Sequence, residues 1–174
     1  MGVRNFLIEG VSGTGKTSVA TELQLRGYHV IHGDRELAYQ GDPMTGEPLR
    51  HSIDQSNKHG VAFAHEHHLW DINKVRALIA DCSHPLSFFC GGSRNFPRFI
   101  DLFDGVFVLQ VDQDTLIRRL ADRPEDEFGS KLAEQKFVLH LHETGRDIPK
   151  NAITVDAAVP LASVVESILS TCRR

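Results

Sequence analysis

Five short, mainly apolar runs recur along the chain, and longer stretches of mixed polarity separate them. The runs cover residues 6–8, 28–31, 86–90, 106–111 and 153–155. Strands that are apolar at almost every position, rather than at every second one, are typical of a parallel sheet covered on both faces. The pattern therefore predicts five buried parallel strands.

Between these runs, apolar residues return every three or four positions, which is the spacing of a helix with one buried face. A helix is predicted from Lys16 to a stop at Gly27, and others at residues 72–79, 116–120, 130–143 and 161–169. Residues 35–60 are polar and contain several glycines and prolines, so they are predicted as loop or short irregular helix. Alternating strands and helices with right-handed crossovers predict an α/β fold, a three-layer sandwich formed as a single domain over residues 1–174.

Composition excludes several broad classes of protein. A length of 174 residues suits one domain, and a net charge of −4 argues against a protein that coats a nucleic acid polymer. No apolar stretch reaches the 18 residues expected of a membrane span. The three cysteines show neither a disulfide framework nor a zinc-binding spacing, which favours a reducing compartment. We expect a cytoplasmic protein without a membrane partner, either a monomer or a homodimer.

The strongest motif is a glycine-rich segment directly after the first predicted strand. Residues 10–17 read Gly-Val-Ser-Gly-Thr-Gly-Lys-Thr and match the phosphate-binding loop GxxxxGK[ST]. Its backbone N–H groups and the N-terminus of the next helix favour a bound phosphate. Lys16 is predicted to bridge the β- and γ-phosphates of ATP, and Thr17 to hold Mg²⁺. The predicted nucleotide-binding residues here are Gly10, Ser12, Gly13, Thr14, Gly15, Lys16, Thr17 and Ser18.

Two other classes of P-loop protein fit the sequence less well. A switch GTPase needs an Asn-Lys-x-Asp segment after a late strand, but residues 73–76 read Asn-Lys-Val-Arg and precede the third strand. A large ring ATPase needs a longer chain with a helical lid domain and an acidic pair after its third strand. Here the third strand ends Cys90-Gly91-Gly92, without an acid.

Taken in order, the motifs resemble those of the small P-loop kinases related to adenylate, shikimate, gluconate and chloramphenicol kinases. The resemblance covers nearly the whole chain: the glycine loop, an Asp after the second strand, a glycine pair closing the third, an arginine-bearing helix before a short lid, and a fifth strand leading into the last helix. It implies a five-stranded parallel sheet in the order 2-3-1-4-5, a lid at residues 123–130 and an acceptor-binding segment at residues 35–80. His32 stands where the shikimate and gluconate kinases usually carry a first acid, so the sequence leaves open how Mg²⁺ is held.

Asp34 is the predicted catalytic carboxylate. It follows the second strand, and ligands bind at the carboxyl ends of parallel strands. A carboxylate there can accept the proton of an acceptor hydroxyl or help to hold Mg²⁺. The alternative is a helix N-cap for the segment that begins at Arg35.

Some arginines are predicted to bind ATP and others to bind the phosphoryl acceptor. The resemblance implies that Arg119 stacks on adenine and that Arg123 reaches the phosphates as a catalytic residue, and solvated surface charge is the alternative for both. The loop around Ala157 would read the edge of the adenine. A planar guanidinium such as that of Arg94 suits a phosphate or a carboxylate, although a loop salt bridge is equally consistent with its position. The predicted acceptor-binding residues are Asp34, Arg35, Gly91, Gly92 and Arg94.

The histidine-rich run at residues 65–68 does not have the spacing of a zinc protease, and no matching ligand cluster accompanies it. We interpret it as a polar helix start, with Trp70 either in the core or as a platform for an acceptor ring.

The sequence thus predicts a kinase that transfers the γ-phosphoryl of ATP to a small acceptor, with a nucleoside or nucleoside monophosphate favoured. A small metabolite or antibiotic hydroxyl is the alternative acceptor. A nucleotide-binding regulatory module with little or no transfer activity is the alternative from another class.

Overall fold

The computed structural model describes residues 3–50 and 58–173. Its strands are β1 (Arg4–Glu9), β2 (His29–His32), β3 (Ala38–Gln40), β4 (His68–Trp70), β5 (Leu86–Cys90), β6 (Gly105–Gln110) and β7 (Ile153–Asp156). Its helices are α1 (Lys16–Leu25), α2 (Gly33–Glu36), α3 (Lys58–Glu66), α4 (Ile72–Ala80), α5 (Gln113–Ala121), α6 (Leu132–Thr144) and α7 (Leu161–Cys172). Two short 3₁₀ turns lie between β5 and β6.

The central sheet has five parallel strands in the order β2-β5-β1-β6-β7. When only the strands of this sheet are counted along the chain, the order is 2-3-1-4-5, so the predicted topology is confirmed. In the register of the sheet, Ile8 on β1 lies opposite Cys90 on β5 and Phe107 on β6. The carboxyl ends of these three neighbouring strands therefore meet at one edge of the sheet.

Both faces of the sheet are covered by apolar layers. Phe6 and Ile8 on β1 belong to a core cluster that includes side chains from α1, α5, α6 and α7. Leu7, between them, belongs to a second cluster with Val75 of α4 and Phe99. Each fully buried large aliphatic or aromatic side chain contributes about 1.5–3 kcal/mol. This two-sided burial is the physical reason why the strands appear in the sequence as continuous apolar runs.

The segment 35–80 differs from its prediction only in part. The helix predicted at residues 72–79 is confirmed as α4, and residues 51–57 of the predicted loop lie outside the described residues. Loop or irregular helix was expected for residues 35–60, but the segment contains β3 and the start of α3. The expectation of a helix start in the histidine-rich run was wrong, because α3 ends at Glu66 and β4 begins at His68. The strands β3 and β4 form a separate antiparallel pair, with Ala38 opposite Trp70. Three-residue strands are too short to show a period, and their pairing depends on residues far away in sequence.

Trp70 is a core residue. Its side chain is fully buried and stacks on Phe99 with ring centroids 5.8 Å apart. The side chain of Asn95 binds the backbone of Trp70 twice: Oδ1 accepts from the N–H at 3.0 Å and Nδ2 donates to the carbonyl at 2.9 Å. This pair of bonds fastens β4 to the loop that follows β5. The other alternative, a platform for an acceptor ring, is therefore wrong.

Two further observations concern the chain as a whole. Across the described ranges, none of the helices combines the length and apolar character that a membrane crossing requires. All three cysteines are free thiols, and burial raises the pKa of Cys90 to about 12, so this thiol at the end of β5 stays protonated.

Candidate functional site

The phosphate-binding loop leaves β1 at Gly10 and enters α1 at Lys16. Gly13 has a φ of +93°, and a Cβ atom there would lie 2.7 Å from a methyl group of Leu116, so only glycine fits. The ammonium group of Lys16 donates to the carbonyl oxygens of Gly10, at 2.5 Å, and of Val11, at 3.2 Å. The lysine thus folds over its own loop, where phosphate oxygens can replace these carbonyls as acceptors.

The first turn of α1 offers free backbone donors to a phosphate. Gly15 occupies the N-cap position, and no side chain of the described chain caps the helix there. The N–H groups at the start of a helix have no partner within the helix, so they and the partial positive charge of the N-terminus favour an anion. Thr17 and Ser18 are exposed in this turn.

Burial lowers the pKa of Lys16, while the charges of Asp34 and Glu9 raise it. A bound triphosphate would add negative charge beside the ammonium and so favour its charged form. The loop residues and the lysine therefore fit the phosphates of ATP.

Two arginines of the α5 region lie against the phosphate-binding loop. Arg119 donates to the carbonyl oxygen of Thr14 at 3.1 Å and to that of Ala157 at 2.8 Å, so it bridges the loop and the turn after β7. Arg123 donates to the hydroxyl of Ser12 at 2.9 Å and to the carbonyl oxygen of Phe128. The structure thus brings the predicted nucleotide-binding residues together around one loop.

Asp34 lies within α2 and faces the turn that follows β5. Its Oδ1 accepts from Nε2 of His68 at 3.2 Å and from the backbone N–H of Gly92 at 3.4 Å. Its side chain makes no capping bond to α2, so the N-cap alternative was wrong. Burial raises the pKa of Asp34, but the hydrogen bond from His68 and the charge of Lys16 outweigh it and hold the pKa below its ordinary value. Asp34 is therefore an ionised carboxylate at the edge of the phosphate-binding loop.

A small cavity of about 30 Å³ joins this carboxylate to the start of α1. It is lined by Lys16, Thr17, Ala20, His32, Asp34, Arg35 and Cys90. Within the described ranges, no group of three or more His, Cys, Asp or Glu side chains could hold a metal ion by itself. Mg²⁺ commonly binds one or two protein oxygens together with substrate phosphates. Thr17 and Asp34 fit that arrangement, and any Mg²⁺ here would depend on the nucleotide.

Glu9, the last residue of β1, is a site residue that was not predicted. Its side chain is buried; Oε2 accepts from the N–H of Gly10 at 3.0 Å, and Oε1 has no hydrogen-bond partner among the described residues. A Cβ atom placed on Gly92 would lie 3.0 Å from Oε2, so the carboxylate lies directly beneath that turn. Burial raises the pKa of Glu9, while the charges of Arg94 and Lys16 lower it. An acid that ends an otherwise apolar strand just before the glycine loop is a signal that could have identified it.

A second group lies beside the Gly91–Gly92 turn, and of its three residues only Arg94 was predicted. Nη1 of Arg94 is 3.2 Å from Oδ2 of Asp147, which lies in the loop after α6, and Nε2 of His65 is 2.8 Å from the same oxygen. The hydrogen bond from His65 lowers the pKa of Asp147, and the charge of Arg94 lowers it further. His65 and Asp147 are 82 positions apart, so no local pattern indicates their contact. These bonds tie α3 to the loop after α6.

We expect the protein to become less stable as the pH falls, in part because of His65. Burial lowers the pKa of His65, although its hydrogen bond to Asp147 opposes the shift. The unfolded chain then binds a proton at a higher pH than the folded chain, so this contribution is present above the unfolded-state pKa and is lost as the pH falls through the folded-state value. A glutamine keeps a donor for Asp147 but cannot ionise. His65→Gln should therefore lose less melting temperature than the wild type between about pH 7.5 and about pH 5.5.

The matched control is His140→Gln, on the exposed part of α6. It should leave the pH dependence of the melting temperature close to that of the wild type. An unchanged slope in the His65 variant would contradict this assignment.

Comparison with known proteins places the chain by fold and family. No curated protein matches the sequence. Among solved structures, a gluconokinase from Sinorhizobium meliloti 1021 matches with 20% identity and a TM-score of 0.55, covering 96% of this chain and 90% of its own. A deoxyadenosine kinase from M. mycoides with bound dATP matches with 17% identity and a TM-score of 0.55, covering 98% of this chain and 100% of its own. A shikimate kinase from Bacteroides thetaiotaomicron matches with 13% identity and a TM-score of 0.59, covering 98% of this chain and 99% of its own.

These likenesses, at 20% identity or less, confirm the predicted fold of the small P-loop kinases. The family model described as AAA domain matches residues 7–136, which is about three quarters of the chain. That range contains the phosphate-binding loop, Asp34 and both arginines that contact the loop. The chain therefore belongs to the AAA domain family.

Proposed function

We propose that this protein is an ATP-dependent phosphotransferase that moves the γ-phosphoryl of ATP to a hydroxyl group of a small acceptor. The observation that carries the proposal is the position of Asp34, which lines one cavity with Lys16 and Thr17 of the phosphate-binding loop. Transfer of a phosphoryl group to a hydroxyl requires a phosphate-binding lysine and an ionised carboxylate close together, and both lie at the same edge of the sheet.

The residues of the chain divide the reaction between them. Mg²⁺-ATP supplies the phosphoryl group, and the loop amides with Lys16 hold its phosphates. Asp34 orients the acceptor hydroxyl and takes its proton as the new O–P bond forms, while the bond from the γ-phosphorus to the bridging oxygen breaks and ADP leaves. Arg123, from the lid at residues 123–130, offsets the charge that develops on the transferred group.

The favoured acceptor is a nucleoside or a nucleoside monophosphate, bound by the segment 35–80. The deoxyadenosine kinase structure, matched over its whole length, supports this choice. The gluconokinase and shikimate kinase structures support the alternative, a small metabolite hydroxyl. An antibiotic hydroxyl belongs to the same alternative. The acceptor side would include Arg35, which is exposed beside Asp34, and the Gly91–Gly92 turn.

A nucleotide-binding regulatory module is the proposal from another class. The feature that favours a kinase over it is Asp34, because holding a nucleotide alone does not need a carboxylate between the phosphate-binding loop and the Gly91–Gly92 turn. A module would bind ATP with normal affinity and show no transfer to any acceptor.

An acceptor screen with labelled ATP tests the proposal. It should include nucleosides, their monophosphates, sugar acids and other small hydroxyl compounds, each with Mg²⁺. We expect transfer to at least one class well above the rate of ATP hydrolysis. Tight ATP binding without transfer to any of them would favour the regulatory module.

We also expect the protein to prefer ATP to GTP. In the turn after β7, the N–H of Ala157 donates to the carbonyl of Gln110 and the N–H of Ala158 donates to Asp156, so these donors are occupied. The carbonyl of Ala157 accepts from Arg119 and keeps a second lone pair. Backbone acceptors of this kind suit the exocyclic amine of adenine and not the carbonyl of guanine. ATP should bind about tenfold more tightly or better, which corresponds to about 1.4 kcal/mol.

Calorimetric titration with both nucleotides measures this preference. Arg119→Ala should weaken the binding of both, because Arg119 bridges the loop and this turn. Its exposed neighbour serves as a control, and Arg118→Ala should leave both affinities unchanged. Equal or tighter binding of GTP by the wild type would refute the assignment.

A further inference from the structure

The charges on the acceptor side restrict the kind of acceptor that fits, an inference that rests on the proposed kinase function. Arg94 follows the Gly91–Gly92 turn directly, and its backbone N–H donates to the carbonyl of His68 on β4. Its side chain is 13% exposed, and Nη1 lies 3.2 Å from Oδ2 of Asp147. Arg94 was predicted to bind a phosphate or a carboxylate of the acceptor, but its guanidinium already lies beside the carboxylate of Asp147.

The carboxylate of Asp147 is a full counter-charge for Arg94. His65 binds the same oxygen at 2.8 Å, but burial lowers the pKa of His65, so near neutral pH the imidazole donates a hydrogen bond without adding a charge. Arg146 is mostly exposed, and its Nε is 3.9 Å from the other oxygen of Asp147. An exposed contact of that length contributes little. Arg94 and Asp147 thus neutralise each other.

Two more carboxylates border the same region. Glu9 lies directly beneath Gly92, and Asp34 accepts from the N–H of Gly92. An acceptor phosphate or carboxylate would therefore meet the ionised carboxylate of Asp34 and would have to displace the ionised carboxylate of Asp147 from Arg94. Like charges in a partly buried site repel strongly, so this arrangement disfavours an anionic acceptor.

Several buried polar atoms around the turn have no hydrogen-bond partner in the described chain. They are Oε1 of Glu9, Oγ of Ser93, and Nε and Nη1 of Arg94. The 3.2 Å contact of Nη1 with Asp147 is therefore an ion pair without the geometry of a hydrogen bond. Leaving such atoms unpaired is costly, so a bound group that supplies both donors and acceptors is favoured there. A hydroxyl group can both donate and accept a hydrogen bond, and it carries no charge.

We propose that Asp147 is a specificity-determining residue, which neutralises Arg94 and so reserves the acceptor side for an uncharged hydroxyl compound. Within the favoured class of acceptors, a nucleoside fits and its monophosphate does not. Sugar acids are disfavoured for the same reason.

The first test compares matched acceptors with the wild-type protein. A nucleoside is paired with its 5′-monophosphate, and an uncharged sugar with the corresponding sugar acid. Where a pair is phosphorylated, we expect kcat/KM to be about tenfold higher or more for its uncharged member. A factor of ten corresponds to one unfavourable charge contact. A wild type that prefers the anionic member would overturn the inference and leave the proposed kinase function standing.

The second test removes the charge of Asp147 and keeps its shape. In Asp147→Asn the amide oxygen can still accept from His65, so α3 stays fastened while Arg94 loses its counter-charge. Binding of inorganic phosphate is measured by calorimetry with saturating Mg²⁺-ADP, which occupies the phosphate-binding loop. We expect phosphate to bind about tenfold more tightly or better than to the wild type, and the acceptor preference to shift toward anions by a similar factor. Adding Arg94→Gln should abolish both gains.

The control is Glu143→Gln, which removes an exposed acid of α6 outside the segment 35–80 and leaves Arg94 and Asp147 intact. It should change neither phosphate binding nor acceptor preference. Equal phosphate binding by the wild type and a folded Asp147→Asn protein would overturn the inference. If no acceptor is phosphorylated at all, the proposed function fails, and the phosphate measurement still decides the role of Asp147.

Discussion

Replacement of Lys16 by alanine should reduce phosphoryl transfer by about 10²–10³ while the protein stays folded, because one preorganised charge at the transferred phosphoryl is worth about 3–4 kcal/mol. The ammonium group donates to the carbonyls of Gly10 and Val11, so its removal leaves these two loop acceptors without that donor. ATP should bind more weakly as well. Turnover, ATP affinity and the thermal unfolding curve are the three measurements.

Lys74→Ala, on the exposed face of α4, is the matched control for loss of a lysine charge. It should leave turnover and ATP affinity unchanged. Turnover at the wild-type rate in a folded Lys16→Ala protein would exclude the proposed role of the phosphate-binding loop.

The second large effect is expected at Asp34. Asparagine has the same size and can still accept from Gly92, but it lacks the charge, so transfer should fall by about 10²-fold or more. ATP affinity should change much less, because Asp34 faces the Gly91–Gly92 turn and not the centre of the loop. Glu36→Gln tests for a general disturbance of α2, since Glu36 accepts from the N–H of His32 in the same short helix.

Two Mg²⁺ concentrations separate the roles that Asp34 can play. If Asp34 takes the proton of the acceptor, extra Mg²⁺ should not restore transfer in the asparagine variant. If it mainly supports the metal beside Thr17, a higher Mg²⁺ concentration should restore part of the activity. Wild-type rates at both concentrations would remove Asp34 from the reaction.

The sheet and the phosphate-binding loop could be predicted because both depend on local sequence. A buried parallel strand is apolar at successive positions, and the loop is one continuous motif. Asp34 could be placed for a related reason, since it directly follows a predicted strand. By contrast, β3 and β4 are three residues each and pair across a long intervening segment, so neither shows a period of its own.

The acceptor side could be predicted only in part. Arg94 was a candidate from its position after two glycines, but its partner Asp147 lies beyond the lid and α6. Contacts of this kind follow from the packing of α3 on α6, which the sequence of either helix does not specify. Glu9 is different, because its position before the loop was visible and its burial beneath Gly92 was not.

The burial of Trp70 has a practical consequence for spectroscopy. The chain contains one tryptophan, so its tryptophan fluorescence, excited selectively at long wavelength, comes from a single position. The indole lies against Gly33 and Gly91, within one residue of Asp34 and of Gly92, and it is sealed from water by Phe99. An emission change on adding a compound would therefore report events at the acceptor side, whereas nucleotide contacts made at Arg119 and Ala157 lie around a different turn. The protein therefore carries its own optical reporter for the binding of an acceptor.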